Sequence, residues 1–556
     1  MSLQDAFQAY QSGDLKSAEA KLGPLVLRDE TKAQALHLGA MVAARAGNPQ
    51  LAFQRIQASL SDPTNRHEKL NILGNILVTL GADVDSERAF RAALAASPNY
   101  LPAAQNLAAY LVQSGQPEEG HRIYAQLADK LPDVALHHRG HIQSLLDMNR
   151  DAEALEAIET AGLPGAEAAT LRARALFAMG RFEEAIGANA RAYDDPQYGS
   201  EALRLTLQIL SMTGAWEGMA EAVLEDVLGR HPDSDALHSV ALHALQRRGD
   251  TEAAADLFAR APQGPATLSK RAEQMIADGD YAEAERLAQA TLSKANGFPP
   301  ALMQFCFASL GLGKFDQAQN ISDIALRANR NDQFFYAIKA VAGRLKGQDY
   351  RYYFDYDRFV RPYDVLAPEG WGSVEAFNAD LKAELEALHG FTSEPLDQTL
   401  RTGTQTSPNL RFVDSPAIKA FFGAVRPAIQ SYVDSLGHDP QHAFLRRNTG
   451  HFRIRSGWSV RLSGGGHHVS HVHPDGWISS AYYVDVPRGK GDEGKIQFGA
   501  PPEPLAGHLG LTPELTVQPK PGRLVLFPSY LWHGTVPITE GKTRMTLPID
   551  IMPAAN

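Results

Sequence analysis

The stretch Leu176-Phe177-Ala178-Met179-Gly180-Arg181-Phe182-Glu183-Glu184-Ala185 decides how most of the chain folds. An apolar helix ends on Gly180, a residue suited to the left-handed position that closes a helix. Five places later the small Ala185 lets a second helix approach the first closely. The same punctuation recurs at Gly13, Gly47, Gly81, Gly115, Asn149, Gly214, Gly249, Gly279, Gly313 and Gly347, at intervals of 30 to 35 residues, most of them 34. Ala18, Ala52, Ser86, Gly120, Ala154, Ala254, Ala284 and Ala318 keep the small residue in step, and Met219 breaks it. A period near 34 with one turn between two helices predicts a solenoid, in which each unit buries its apolar face only against its neighbours.

Segments such as Gly180-Arg181-Phe182-Glu183-Glu184-Ala185 and Gly279-Asp280-Tyr281-Ala282-Glu283-Ala284 resemble the central turn of tetratricopeptide repeats, and the resemblance extends over residues 1–347. It implies a right-handed superhelix of about ten repeats with an extended concave surface. It also implies a peptide or protein ligand in that groove; a scaffold or dimerisation arm is the other use of such an array.

At 556 residues the chain is too long for one core. Its 44% apolar and 21% charged content is that of a globular protein. A net charge of −11 argues against nucleic-acid binding, which needs a basic face to neutralise phosphates. Cys306 is the only cysteine, which excludes an intrachain disulfide and a thiolate metal site and fits a cytoplasmic protein. The N-terminus shows no secretory signal, and no run is long and apolar enough to span a bilayer. Oligomeric state is left open.

After Gly347 the composition turns to Tyr350-Arg351-Tyr352-Tyr353-Phe354-Asp355-Tyr356-Asp357-Arg358-Phe359, read as a last helix of the array docking on the next domain. Residues 348–372 are this junction, and 373–556 form a second domain. Helices are expected from Ser373 to Leu388, with Ser373 as N-cap, and from Ser415 to Leu436. From His451 the apolar period changes to two, with a slip at Ser456-Gly457. Runs at Ile478 to Val486, Lys495 to Phe498, Arg523 to Phe527 and Arg544 to Ile551 follow. Gly464-Gly465-Gly466 reads as a tight turn. The fold class is therefore an all-α repeat superhelix followed by a double-stranded β-helix (jelly-roll) domain with flanking helices.

Within that domain His471-Val472-His473-Pro474-Asp475 is answered by His533, and imidazoles with a carboxylate are the ligand set of non-haem Fe(II). If Glu540-Gly541 closes a two-residue hairpin, Arg544 pairs opposite Pro537 and Thr546 opposite Thr535. His533, Thr546 and Arg544 then share a face, with Arg544 roughly 13 Å along the strand from His533. That spacing fits a diacid between a metal and a guanidinium.

The ordered series His471-Val472-His473-Pro474, Ser479-Ser480-Ala481-Tyr482-Tyr483-Val484, Gly494-Lys495-Ile496-Gln497-Phe498, Pro521-Gly522-Arg523-Leu524-Val525-Leu526-Phe527-Pro528, His533 and Arg544-Met545-Thr546 resembles the bacterial and phage His-x-His-Pro group of 2-oxoglutarate- and Fe(II)-dependent oxygenases. The resemblance implies iron held by first-motif residues and His533, with 2-oxoglutarate anchored by Arg544 and Thr546 and O2 as co-substrate. Two ligand sets compete: His473 and Asp475 with His533, or His471 and His473 with His533. The second is preferred because the group's pattern is lax at the position of Asp475. Arg461, Tyr482 and Gln497 are expected to act in the pocket, with Trp458 and Trp532 as further lining candidates. The resemblance implies hydroxylation of a C–H bond, with the array recruiting a peptide or protein substrate. The alternatives are a small-molecule oxygenase with repeats for assembly and a catalytically silent adaptor.

Overall fold

The structure is a computed structural model and describes residues 2–487 and 491–555. From Leu3–Gln11 to Gln333–Leu345 the chain forms 21 helices in antiparallel succession. The punctuating residues adopt the left-handed conformation that their chemistry allows: Gly81 has φ +66°, Gly180 +75° and Asn149 +56°. The small residues that follow are buried, Ala18, Ala52, Ala185, Ala284 and Ala318 without exception at 0% exposure. At the break in the pattern the second helix starts five residues after Gly214 rather than two, at Met219–Arg230. Ala220 is buried there in place of Met219. Among the described residues no helix is long and apolar enough to cross a membrane.

The array curls until its ends meet. Gln50 Nε2 donates to the Arg327 carbonyl at 3.0 Å, and Asn331 Nδ2 donates to the Gly81 carbonyl at 2.5 Å. The ring so formed does not leave its interior free, because the C-terminal domain is seated against it at the turn of one repeat after another. Arg411 donates to the Gly115 carbonyl at 2.6 Å, Asn149 Nδ2 to the Asn409 carbonyl at 2.9 Å, and the Thr392 amide to the Met212 carbonyl at 2.9 Å. Arg247 Nε donates to the Leu396 carbonyl at 2.6 Å, and His508 Nε2 lies 2.8 Å from the Gly311 carbonyl. Phe391 stacks on Phe177 at 5.7 Å between centroids.

The C-terminal domain contains strands β1 (Arg361–Asp364), β2 (Leu400–Gln405), β3 (Phe452–Gly457), β4 (Val460–His468), β5 (Ile478–Asp485), β6 (Ile496–Phe498), β7 (Leu515–Val517), β8 (Arg523–Pro528), β9 (His533–Thr535), β10 (Arg544–Leu547) and β11 (Ile549–Pro553). The large antiparallel sheet runs β1-β8-β5-β10-β4-β2, with β11 joining β5 to β3, and the small one runs β7-β6-β9. Phe527 of β8 meets Phe498 of β6 at 4.9 Å and His533 of β9 at 4.7 Å, which fixes the face-to-face packing of the two sheets.

Four local expectations change. The junction is not a helix of the array: it contains one helical turn, Tyr356–Phe359, and then supplies β1 on the sheet edge. Its aromatics do pack, with Phe354 and Phe359 each 1% exposed. The helix expected over Ser415 to Leu436 is two, Pro416–Ala424 and Arg426–Leu436, broken at Val425 where Pro427 removes an amide donor. Pro548 splits the last run into β10 and β11 in the same way. The triple glycine lies inside β4 rather than forming a turn, with Gly465 at φ +83°. A Cβ on Gly464 would come 2.7 Å from Glu540 Cα, and one on Gly466 2.4 Å from the Thr402 carbonyl, so neighbouring chain leaves room for nothing larger.

One ion pair joins the two parts in the interior. The Arg447 side chain is 3% exposed and donates to Asp83 Oδ2 at 2.8 Å while its Nη1 donates to the Gly476 carbonyl at 2.5 Å. Removing one partner strands a buried charge. Asp83→Ala is therefore expected to cost about 3 kcal/mol, the low end for a buried pair because Asp83 retains some solvent contact. Urea unfolding monitored at the C-terminal domain's tryptophans checks this, and Asp83→Leu combined with Arg447→Met should recover most of the loss.

Candidate metal centre and active-site cavity

His471 and His473 lie on the connection between β4 and β5, and His533 opens β9. The chain fixes all three through its backbone: the His471 amide donates to the His533 carbonyl at 2.9 Å, the reverse bond is 3.0 Å, and the His473 amide donates to the Ser529 carbonyl at 3.0 Å. The turn that follows is clamped from outside by the Arg447 bond to Gly476 and by the Gln333 amide, which donates to the Pro474 carbonyl at 2.9 Å. Gly476 is required there, since a Cβ would fall 2.2 Å from Ser529 Oγ.

One ring nitrogen from each histidine lies within 4.8 Å of those of the other two. Their protonation follows from their partners. His471 Nδ1 is 2.8 Å from the Val469 carbonyl, His533 Nδ1 2.9 Å from the Leu531 carbonyl, and His473 Nδ1 3.0 Å from Asp550 Oδ1. Carbonyl and carboxylate oxygens only accept, so each Nδ1 carries the proton and each Nε2 presents a lone pair. His471 and His473 aim those lone pairs at each other across 3.3 Å. The arrangement repels itself unless a cation stands between the nitrogens, and imidazoles set by a second layer of acceptors are the means by which proteins bind transition metals. Burial pushes the His471 imidazole down to about 3 and His533 well below its usual range, so both are neutral and ready to ligate.

Asp475 does not join this cluster. It stands exposed beside Asp332, whose carboxyl is pushed up to about 6 by its own burial first and by Asp475 second. The carboxylate that does serve the histidines is Asp550, through His473. Sequence reasoning missed it because Asp550 lies seventy-seven positions from His473 in the chain. A trace existed in the slip at Ser456-Gly457: β3 pairs Ser456 with Asp550 and then Ile454 with Ile551, a bulge opposite the carboxylate.

A cavity of about 1130 Å³ contains the three histidines together with Arg544, Thr546, Trp458 and Asp550. The proposed hairpin between His533 and Arg544 is not formed. β9 pairs with β6 in the small sheet and β10 with β4 and β5 in the large one, so His533 and Arg544 reach the same cavity from different sheets. Arg544 is 2% exposed, its Nε and Nη1 have no partner among the described residues, and burial presses its pKa down. Its guanidinium lies 5.0 Å from the centre of the Tyr483 ring, whose buried hydroxyl is also unpartnered. A buried cation with free donors calls for an anion, and the planar fork fits a carboxylate.

The other expected pocket residues point elsewhere. Arg461 pairs with Met545 between Arg544 and Thr546, hence faces the opposite side of the sheet. Tyr482 donates to Asn378 Oδ1 at 2.7 Å and packs on Phe421, while the adjacent Tyr483 takes the site face opposite Thr546. Gln497 pairs with Gly534, whereas Ile496 and Phe498 share the face of His533. Trp532 packs on Phe307 and Phe334 of the array, and Trp458 does line the cavity. Nothing in the sequence indicated the remaining wall, which comes from the repeats: Gln113, Leu136, Gln143 and Asp147 line the same cavity as the three histidines.

Residues 456–550 match the family profile described as "Putative 2OG-Fe(II) oxygenase", and residues 275–341 match that of the tetratricopeptide repeat. Among curated proteins none matches the sequence. Solved structures similar to parts of the chain include a tetratricopeptide repeat protein from Parabacteroides merdae, at 11% identity over 49% of this chain and 97% of that one, with a TM-score of 0.32. They also include pilF of Pseudomonas aeruginosa, at 16% identity over 36% and 93% with a TM-score of 0.31. A third is PilW, a type IV pilus biogenesis factor, at 18% identity over 37% and 97% with a TM-score of 0.32.

The two candidate ligand sets separate by mutation. Asp475→Ala should leave Fe(II) affinity within about twofold, whereas Asp550→Ala, which removes the acceptor behind His473, should weaken it about 10- to 100-fold. Metal titration of the two variants gives the answer.

Proposed function

We propose that the chain is a 2-oxoglutarate- and Fe(II)-dependent oxygenase that hydroxylates a C–H bond of a peptide or protein. The observation that carries the reading is the pairing, in one cavity, of three convergent imidazole lone pairs with a buried guanidinium that has no anion. The family match over residues 456–550 supports it. His471, His473 and His533 would hold Fe(II). Arg544, with Thr546 beside it, would hold the carboxylate of 2-oxoglutarate remote from the metal, and Tyr483 supports the guanidinium from below. When bound, iron and 2-oxoglutarate would supply insertion of one atom of O2 into an unactivated C–H bond, the other atom entering succinate as the diacid loses CO2.

The chain's own share is to fix these groups and to keep water from them. Asp550, Val469 and Leu531 hold the three rings in one tautomer, so no reorganisation is needed when the metal enters. Val472, Ile496, Phe527 and Trp458 line the cavity with apolar surface, which strengthens the Arg544 interaction by lowering the local dielectric. A silent adaptor would have no use for a buried, unpaired Arg544, since such a group costs free energy without its anion.

The repeats take a different part from a freely open groove, because the C-terminal domain occupies the edge they present. They form the far wall of the cavity and hold the loop that bears His473. Anaerobic addition of Fe(II) and 2-oxoglutarate is expected to give a weak visible charge-transfer band, and folded protein lacking it would sink the reading. Arg544→Met should raise the Kd for 2-oxoglutarate about a hundredfold, the loss of one charge-assisted bidentate contact, with Fe(II) affinity retained.

A further inference from the structure

The bulge in β3 and the inner wall of the ring meet in one place. Asp550 pairs with Ser456 and Ile551 with Ile454, so Arg455 is the extra residue between them. Bulges re-aim side chains next to sites, and Arg455 lines the cavity that holds the three histidines. The repeat turn covers it closely: a Cβ on Gly115 would come 2.6 Å from Arg455 Cγ. Its neighbour Arg453 donates to the Ser114 carbonyl at 3.0 Å and faces Glu87 at 3.4 Å. The Arg455 side chain makes no hydrogen bond or ion pair with another described residue.

The remaining charges of the cavity are committed. Asp550 serves His473, Asp397 lies 2.9 Å from His243, and Arg139 is paired with Glu167. Asp147 accepts from Gln143 at 2.6 Å and makes no ion pair with Arg455, although burial raises its carboxyl while the nearby Arg174 and Arg455 charges draw it down. Asp475 is exposed beside Asp332. Arg455 is therefore the cation left for a ligand. Two side-chain amides of the cavity, Gln113 from the array and Gln405 from β2, also make no hydrogen bond with another described residue. An amide both donates and accepts, as a peptide backbone requires. A cavity of about 1130 Å³ exceeds what a diacid needs and suits a chain segment.

We infer that the substrate is an extended acidic peptide segment that enters between the repeat ring and the mouth of the β domain, with Arg455 binding its carboxylate and Gln113 and Gln405 its backbone. The inference rests on the oxygenase reading and names its substrate class.

The test uses the full chain loaded with Fe(II) and 2-oxoglutarate, with succinate release and a mass gain of one oxygen as readouts. The probes are two random decapeptide mixtures, one with a central Asp or Glu and one with a central Lys or Arg, together with N-acetylaspartate and an intact folded acidic protein. The acidic mixture is expected to be preferred by about tenfold or more, the worth of one charge-assisted hydrogen bond. Arg455→Glu should reverse that preference, Arg455→Met should abolish it, and Arg455→Lys should restore part of it. Each variant is scored by its ratio between mixtures, in protein that shows the charge-transfer band. A preference for the basic mixture, no preference, or one unchanged in Arg455→Glu overturns the inference. So does equal stimulation by N-acetylaspartate or by the folded protein. A wild-type protein without the band instead overturns the oxygenase reading itself.

Discussion

Three Nδ1 protons, each given to a fixed oxygen, organise this molecule's chemistry. Because Val469, Leu531 and Asp550 accept them, the three Nε2 lone pairs have nowhere to point but toward one another. That convergence costs electrostatic energy in the absence of a cation, and the fold must hold it from several sides. The double backbone bond between His471 and His533 ties two of the rings to one another across the sheets. The third ring, on the loop that ends in Gly476, is held by Ser529 from within and by Gln333 and Arg447 from without.

This gives the repeat array a structural reason to be where it is. Solenoids normally expose an extended inner surface to a partner. Here the turns that punctuate the repeats are also the places at which the array grips the C-terminal domain, through Gly115 and Asn149 themselves and through Met212 and Gly311, each two residues before a turn glycine. The left-handed turns expose backbone carbonyls along one edge, and arginines, asparagines and histidines of the β domain or the array bridge to them. Asp83 reaches Arg447, which in turn reaches the metal loop, so a repeat near the start of the ring is two hydrogen bonds from the candidate centre.

The helical part was legible in the sequence because its rule is local. A glycine or asparagine every 34 residues or so, with a small residue five places on, fixes a helix pair regardless of what lies elsewhere. The strands were legible for a similar reason, and His471, His473 and His533 because they stand in an ordered series of motifs that resembles a known oxygenase group. Tyr483 was missed for Tyr482 because β5 is buried on both faces from Ile478 to Val484, so no alternation of polarity tells one face from the other. Arg461, a candidate for the pocket by its place beside the motif in sequence, is turned away by its register against Met545.

The sequence by itself determined most of the elements and the period of the array, since each depends on spacing within a short stretch, and its ordered motif series picked out the three histidines. Tertiary structure decided which carboxylate serves them. Asp475 is two residues from His473 and lies outside the cluster, whereas Asp550 is brought to it by the pairing of β11 with β3. It likewise decided that Arg544 faces His533 from another sheet, and that the array walls the cavity. Those outcomes depend on strand pairing and on closure of the ring, which are non-local contacts that no short window of sequence contains.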